Sequence, residues 1–219
     1  MHFLPLILAL ALNAQAQSLR DHGDDNVLSA TDGQGNISTV FNQFDGRNHS
    51  LQITRMSAGG YPLWTYQHAD GYHETAYAAA MDSSANLFIA GVRNVPPQKY
   101  FLLMKYGGNG QFQWEYTDGT YNCTAPSLFV DREDNVLVAG VCRMGNGYPV
   151  RLLKYSNNGG LLWARDYDGG GRNYLRNLRA DPDGTVTLTV ETAYGNSRDG
   201  SYQTRFVLYS TDGAQLGVR

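Results

Sequence analysis

Asp131-Arg-Glu-Asp-Asn135-Val-Leu-Val-Ala-Gly140, followed by Arg151-Leu-Leu-Lys-Tyr155-Ser-Asn-Asn-Gly159-Gly-Leu-Leu-Trp163, decides the fold, because the chain repeats it. The same stretch stands earlier as Asp82-Ser-Ser-Ala-Asn86-Leu-Phe-Ile-Ala-Gly91, then Phe101-Leu-Leu-Met-Lys-Tyr106-Gly-Gly-Asn-Gly110-Gln-Phe-Gln-Trp114. The leading Asp recurs at Asp32, Asp82, Asp131 and Asp181. The Tyr position reads Met56, Tyr106, Tyr155 and Tyr209, with Gly60, Gly110, Gly159 and Gly213 four residues later. Eight residues after the Tyr position come Trp64, Trp114, Trp163 and Gly217. A period near 50 residues that holds at this many positions marks a repeat architecture.

Each copy reads as four short strands. In the second they fall near 75–81, 87–93, 100–106 and 111–117. Leu87-Phe-Ile-Ala-Gly-Val92 is apolar on both alternating faces, as a strand buried on both sides must be. Ala76, Ala78, Ala79 and Ala80 keep the first strand small, which suits the crowded axis of a radial array. The Asp82–Asn86 and Gly107–Gly110 segments carry turn chemistry: Asx side chains that bond nearby backbone, and glycines that accept positive φ. The fold expected is all-β, a β-propeller of four four-stranded antiparallel blades at roughly 27–70, 75–119, 125–169 and 174–218.

The pattern Asp-x-x-x-Asn, an apolar run ending in Gly, Lys-Tyr, a Gly turn and Trp resembles the bacterial β-propeller repeat called SBBP, over roughly residues 25–219. The resemblance implies an exported bacterial protein whose motif residues are structural, with no catalytic residue to carry over. It also implies seven blades where four are counted. The ring is expected to be closed or partly open. A two-chain eight-blade ring, self-association through open blade edges, and a fragment of a larger propeller stand as alternatives.

Residues 1–16 read as a signal peptide, with an apolar run from Phe3 to Leu12 and the small-residue site Ala14-Gln-Ala16. The apolar run is too short to span a bilayer, and no other stretch is long enough. A secreted or periplasmic protein is expected, with 17–219 as one repeat domain. The net charge of −3 and the lack of a Lys/Arg run leave out the electrostatic footprint of nucleic-acid binding.

The only two cysteines, Cys123 and Cys142, stand equidistant from the turn at Asp131–Asn135. In an oxidising compartment they read as a cross-strand disulfide. His68-Ala-Asp70-Gly-Tyr-His73-Glu74 is the most metal-like cluster, but it matches no known ligand spacing, and the aligned Asp118-Gly119 and Asp168-Gly169 lack its histidines. No metal and no cofactor are expected.

The loops joining second to third strands, and one blade to the next, share one face of the disk and vary between copies. Variable loops on a rigid scaffold are where binding resides. They carry the candidate ligand contacts Tyr72, His73, Glu74, Tyr121, Tyr148, Arg172, Tyr174, Arg176 and Tyr194. Tyrosine suits this role, with a large contact surface, a polar tip and few rotors. Arg176 and Arg179 make the first strand of blade four unusually polar; they are expected to snorkel to solvent at the strand ends, with lining of a central channel as the alternative. The function expected is a non-enzymatic binding or scaffold module with an unknown ligand. The alternative is a lyase or hydrolase using His73, Glu74 and Arg176 at the channel mouth. Fold alone does not decide between the two.

Overall fold

The computed structural model describes residues 27–44, 49–118, 122–195 and 201–219. The signal-like stretch 1–16 and Tyr121 lie outside them. Sixteen strands form four antiparallel sheets, each a simple meander in chain order. Blade one comprises β1 (Val27–Thr31), β2 (Ile37–Phe44), β3 (His49–Met56) and β4 (Pro62–His68). Blade two comprises β5 (His73–Met81), β6 (Leu87–Val95), β7 (Gln98–Tyr106) and β8 (Phe112–Asp118). Blade three comprises β9 (Asn122–Val130), β10 (Val136–Arg143), β11 (Val150–Tyr155) and β12 (Leu161–Tyr167). Blade four comprises β13 (Arg172–Ala180), β14 (Val186–Tyr194), β15 (Ser201–Tyr209) and the short β16 (Gln215–Val218).

The first hairpin turn of blades one to three is set by the leading Asp, whereas in blade four Asp183 Oδ1 accepts from Thr185 N–H at 2.9 Å. Asp82 Oδ1 accepts from the backbone N–H of Ser84 and Asn86, and Asp32 and Asp131 do the same in blades one and three. These bonds satisfy backbone donors that the turn takes out of the ladder.

Period-two alternation then sends side chains to opposite neighbours. From β6, Leu87 and Ile89 join Leu28, Val40 and Ile53 of blade one, whereas Phe88 and Ala90 join Leu128, Val136 and Val138 of blade three. A third cluster links blades three and four through Leu137, Ala139, Leu178, Val186 and Leu188. Among the described residues three cores link the blades in chain order, and no such cluster joins blade four back to blade one.

An open arc of propeller blades is expected to leave two apolar faces bare. Here the two outer faces are mixed: polar side chains share them with exposed Val27 and Ile37 on blade one and exposed Tyr202 and Phe206 on blade four. Blade one presents Thr39, Thr54 and Thr65, with Thr54 Oγ1 3.3 Å from Thr65 Oγ1. Beside them lies an amide chain in which Gln67 and Gln43 donate in turn, to Gln43 and Gln52, at 2.9 Å each. On blade four the face opposite Leu175 and Val190 carries Tyr174, Arg176, Thr189, Glu191 and Thr204. Arg176 is ion-paired with Glu191 and lies 5.5 Å from the Tyr174 ring. Arg179 stands 3.7 Å from Asp181. The two arginines therefore do not line a channel. An alternating strand with one core face must turn its other set of side chains to water, and these belong to that set.

The repeat residues act in a fixed direction. Trp64 Nε1 donates to Gly108 O in the next blade at 3.0 Å, Trp114 to Asn157 O at 3.3 Å, and Trp163 to Thr211 O at 2.9 Å. Each indole lies over the glycine of that turn: a Cβ on Gly110, Gly159 or Gly213 would meet it at 2.8, 3.1 and 2.8 Å. Lys105 and Lys154 also reach forward, to Asn157 O at 3.1 Å and Thr211 O at 3.4 Å. The repeat tyrosines reach back. Tyr106 meets His68 of blade one, Tyr155 packs on Tyr116 of blade two, and Tyr209 joins Trp163 and Tyr167 of blade three. The departures from the repeat now have a reason. Met56 replaces the backward Tyr in blade one, and Leu208 and Gly217 replace the forward Lys and Trp in blade four. They fall where no core joins a neighbouring blade among the described residues.

Candidate functional site

In blades two, three and four one position at the loop end is a buried cross-strand pair, filled differently each time. In blade two Glu74 opposes Arg93, in blade three Cys123 opposes Cys142, and in blade four Asn173 opposes Thr192. Arg93 Nε donates to Glu74 Oε1 at 2.7 Å. Cys123 and Cys142 are joined by a disulfide, with Cα atoms 3.9 Å apart. Thr192 Oγ1 donates to Asn173 Oδ1 at 2.7 Å. All six side chains are buried, so each pair must satisfy itself without water.

The blade-two pair is the centre of a larger constellation between blades one and two. Arg93 also donates to Asp70 Oδ2 at 2.6 Å and to both Glu115 oxygens at 2.9 and 3.0 Å, and its guanidinium lies 4.7 Å from the Tyr72 ring centre. His68, 7% exposed, enters from β4. Its Nδ1 is 2.8 Å from Tyr106 Oη. Its Nε2 lies 3.0 Å from Glu74 Oε2, an ion pair when the ring is protonated, and 4.0 Å from Asp70 Oδ2, without a well-formed hydrogen bond to either. Burial alone would push this imidazole down; Glu74, with Asp70 and Glu115 behind it, outweighs burial and holds it above the ordinary histidine value. For Arg93, too, burial is outweighed, and Glu115 and Glu74 raise it further.

His73, which precedes Glu74, makes none of these contacts: alternation turns it to the opposite face, toward a cavity of about 330 Å³. His49, Thr75, Tyr77, Asn94 and Lys99 also line this cavity, and no acidic side chain does among the described residues. The His49 and His73 rings meet edge-on at 5.8 Å.

The remaining candidates gather at blades three and four. Arg172 lies between the rings of Tyr148 and Tyr174, at 5.7 and 5.5 Å. Tyr194 donates its hydroxyl to Gly169 O, in the link between blades three and four, at 2.7 Å. The structure thus divides the sequence-derived residues into two groups. It does not assemble His73, Glu74 and Arg176, since Glu74 faces Arg93 and His68 while Arg176 faces Glu191. Sequence reasoning missed His68, Arg93, Glu115 and Lys99 as site residues. A signal for two partners was present: Glu74 and Arg93 stand 49 residues before Cys123 and Cys142, at the aligned positions.

Together these features define a four-bladed, propeller-type all-β protein with its polar constellations on the loop face. No family model matches the chain, and no curated protein matches it. Among solved structures it is similar to one titled crystal structure of the eukaryotic initiation factor, at a TM-score of 0.39 and 11% identity. That match covers 87% of this chain and 54% of the other, so the chain spans about half its length.

Proposed function

We propose that this chain is an exported, non-enzymatic binding module built from SBBP-type repeats, and that it binds a small molecule bearing a carboxylate or phosphate. The observation that carries this reading is the cavity between blades one and two, where His49, His73, Lys99 and Asn94 converge with no acid among the described residues. A concave site with a few convergent polar groups is the usual form of a small-molecule site. Its donors match an anionic group. Two features support export: the signal pattern of residues 1–16, and the Cys123–Cys142 disulfide, which persists in oxidising compartments. The non-enzymatic reading is supported by the engagement of Glu74 and Arg176 in ion pairs, away from His73.

Calorimetric titration with inorganic phosphate, citrate and a uronic acid tests the proposal. We expect saturable binding of at least one, weakened about tenfold, or ~1.4 kcal/mol, in Lys99→Ala and in His73→Ala. Absence of binding by all three, or unchanged affinity in both variants, refutes it.

A further inference from the structure

We propose that His68, Asp70 and Glu74, with Glu115 at the rim, form a binding site for one divalent metal ion of the zinc class. The inference is independent of the neighbouring cavity and uses none of its lining residues. Each of the four side chains offers one ligand atom, and all four atoms lie within 4.8 Å of one another. A tetrahedral ion with bonds of about 2.0–2.1 Å holds its ligand atoms about 3.3 Å apart. The spacings from His68 Nε2, 3.0 Å to Glu74 Oε2 and 4.0 Å to Asp70 Oδ2, bracket that value.

The acidic cluster alone would not carry the assignment. The imidazole does. His68 Nε2 is buried, lacks a hydrogen-bond partner, and points among the carboxylate oxygens. A neutral imidazole there leaves a buried lone pair facing carboxylate oxygens, which is costly, and a cation held between them removes that cost. The surroundings match what metal-bound groups receive from their second layer. Tyr106 Oη on Nδ1 fixes the ring. Arg93 holds the other oxygen of Glu74, and the Tyr72 N–H donates to Asp70 Oδ1 at 3.0 Å.

Charge points the same way. Three carboxylates stand against one guanidinium, an excess of one negative charge with the imidazole protonated and two with it neutral; a divalent cation that takes the place of the imidazole proton cancels both. Buried charge is tolerated when it is neutralised and hydrogen-bonded. Arg93 need not leave. An ion on Asp70 Oδ2 displaces one of its hydrogen bonds and keeps those to Glu74 and Glu115. Asp70 and Glu115, partly exposed, give the ion a path from solvent.

The test is zinc titration of the chelator-stripped full chain at neutral pH, by calorimetry and by thermal unfolding. We expect one equivalent to bind and the melting temperature to rise with zinc concentration, as for any ligand of the folded state. Affinity should fall about 100-fold in His68→Gln, at or beyond the upper end of losses from second-layer partners. It should fall at least about tenfold in Asp70→Asn, which sits in an exposed turn and keeps the test valid if His68→Gln does not fold. His49→Ala combined with His73→Ala should leave zinc binding unchanged. No saturable binding, equal affinity in the Asp70 variant, or loss of binding in the His49/His73 variant instead overturns the assignment.

Discussion

Placing an alanine at Gly213 and, separately, at Gly60 isolates the energy of the tryptophan joint between blades. The two glycines occupy the same repeat position with nearly the same backbone, φ +83° and +81°. Both substitutions therefore incur the same left-handed strain, about 1–2 kcal/mol for an L-residue. They differ in what the new methyl meets. At Gly213 it falls 2.8 Å from Trp163 Cδ2 and 3.0 Å from Cγ, inside contact distance on a ring that is 9% exposed and hydrogen-bonded to Thr211 O. At Gly60 nothing lies within 4 Å. Overpacking of this kind costs about 1–3 kcal/mol. Gly213→Ala should then unfold at a temperature lower than Gly60→Ala by about 2–4 °C for each kcal/mol of that difference. Thermal scans followed by circular dichroism, with urea titrations in parallel, measure it. In a Trp163→Ala background the excess penalty should vanish, because neighbouring residues couple and the clash has been removed. Equal losses at the two sites, or an excess that survives without Trp163, would refute the directional joint.

Two further outcomes follow from the same interfaces. Reduction of Cys123–Cys142, which closes a sequence separation of 19, should lower stability by about 3 kcal/mol, and thiol labelling of the native oxidised chain should be negative. Burial holds the repeat tyrosines above the usual phenol value, and Tyr209 is pushed up to about 12. A raised folded-state value means stability that is present below about pH 10 and lost as pH climbs toward 12. Phenolate absorbance should accordingly rise in two stages, the second coinciding with loss of the β-sheet signal; a single stage completed in the folded chain would contradict the burial argument.

The blades were legible because their residues repeat and because a strand buried on both faces, such as Leu87–Val92, cannot hide its pattern. The cysteine pair was legible from its symmetry about one turn. The lack of a core between blades four and one was encoded too, in Met56, Leu208 and Gly217, but its meaning required knowing that Trp and Lys reach forward and Tyr reaches back. That direction is a property of packing, not of spacing. The charged constellation was only half visible. His68, Asp70 and Glu74 lie within seven residues, yet Arg93 and Glu115 arrive from β6 and β8, and only the fold brings them together. The stretch also offered His73 as a false companion, which strand alternation turns the other way.

The cross-strand pair at the loop end has a practical corollary. Glu74–Arg93, Cys123–Cys142 and Asn173–Thr192 are three fasteners in equivalent places, each released by a different agent. A thiol reductant undoes only the third blade's, and loss of the Glu74 charge undoes only the second's. The fourth, made from an amide and a hydroxyl, answers to neither. The fasteners can thus be released separately, the third blade's by reductant and the second's by a Glu74→Gln substitution, so that the contribution of each blade to the array can be read on its own.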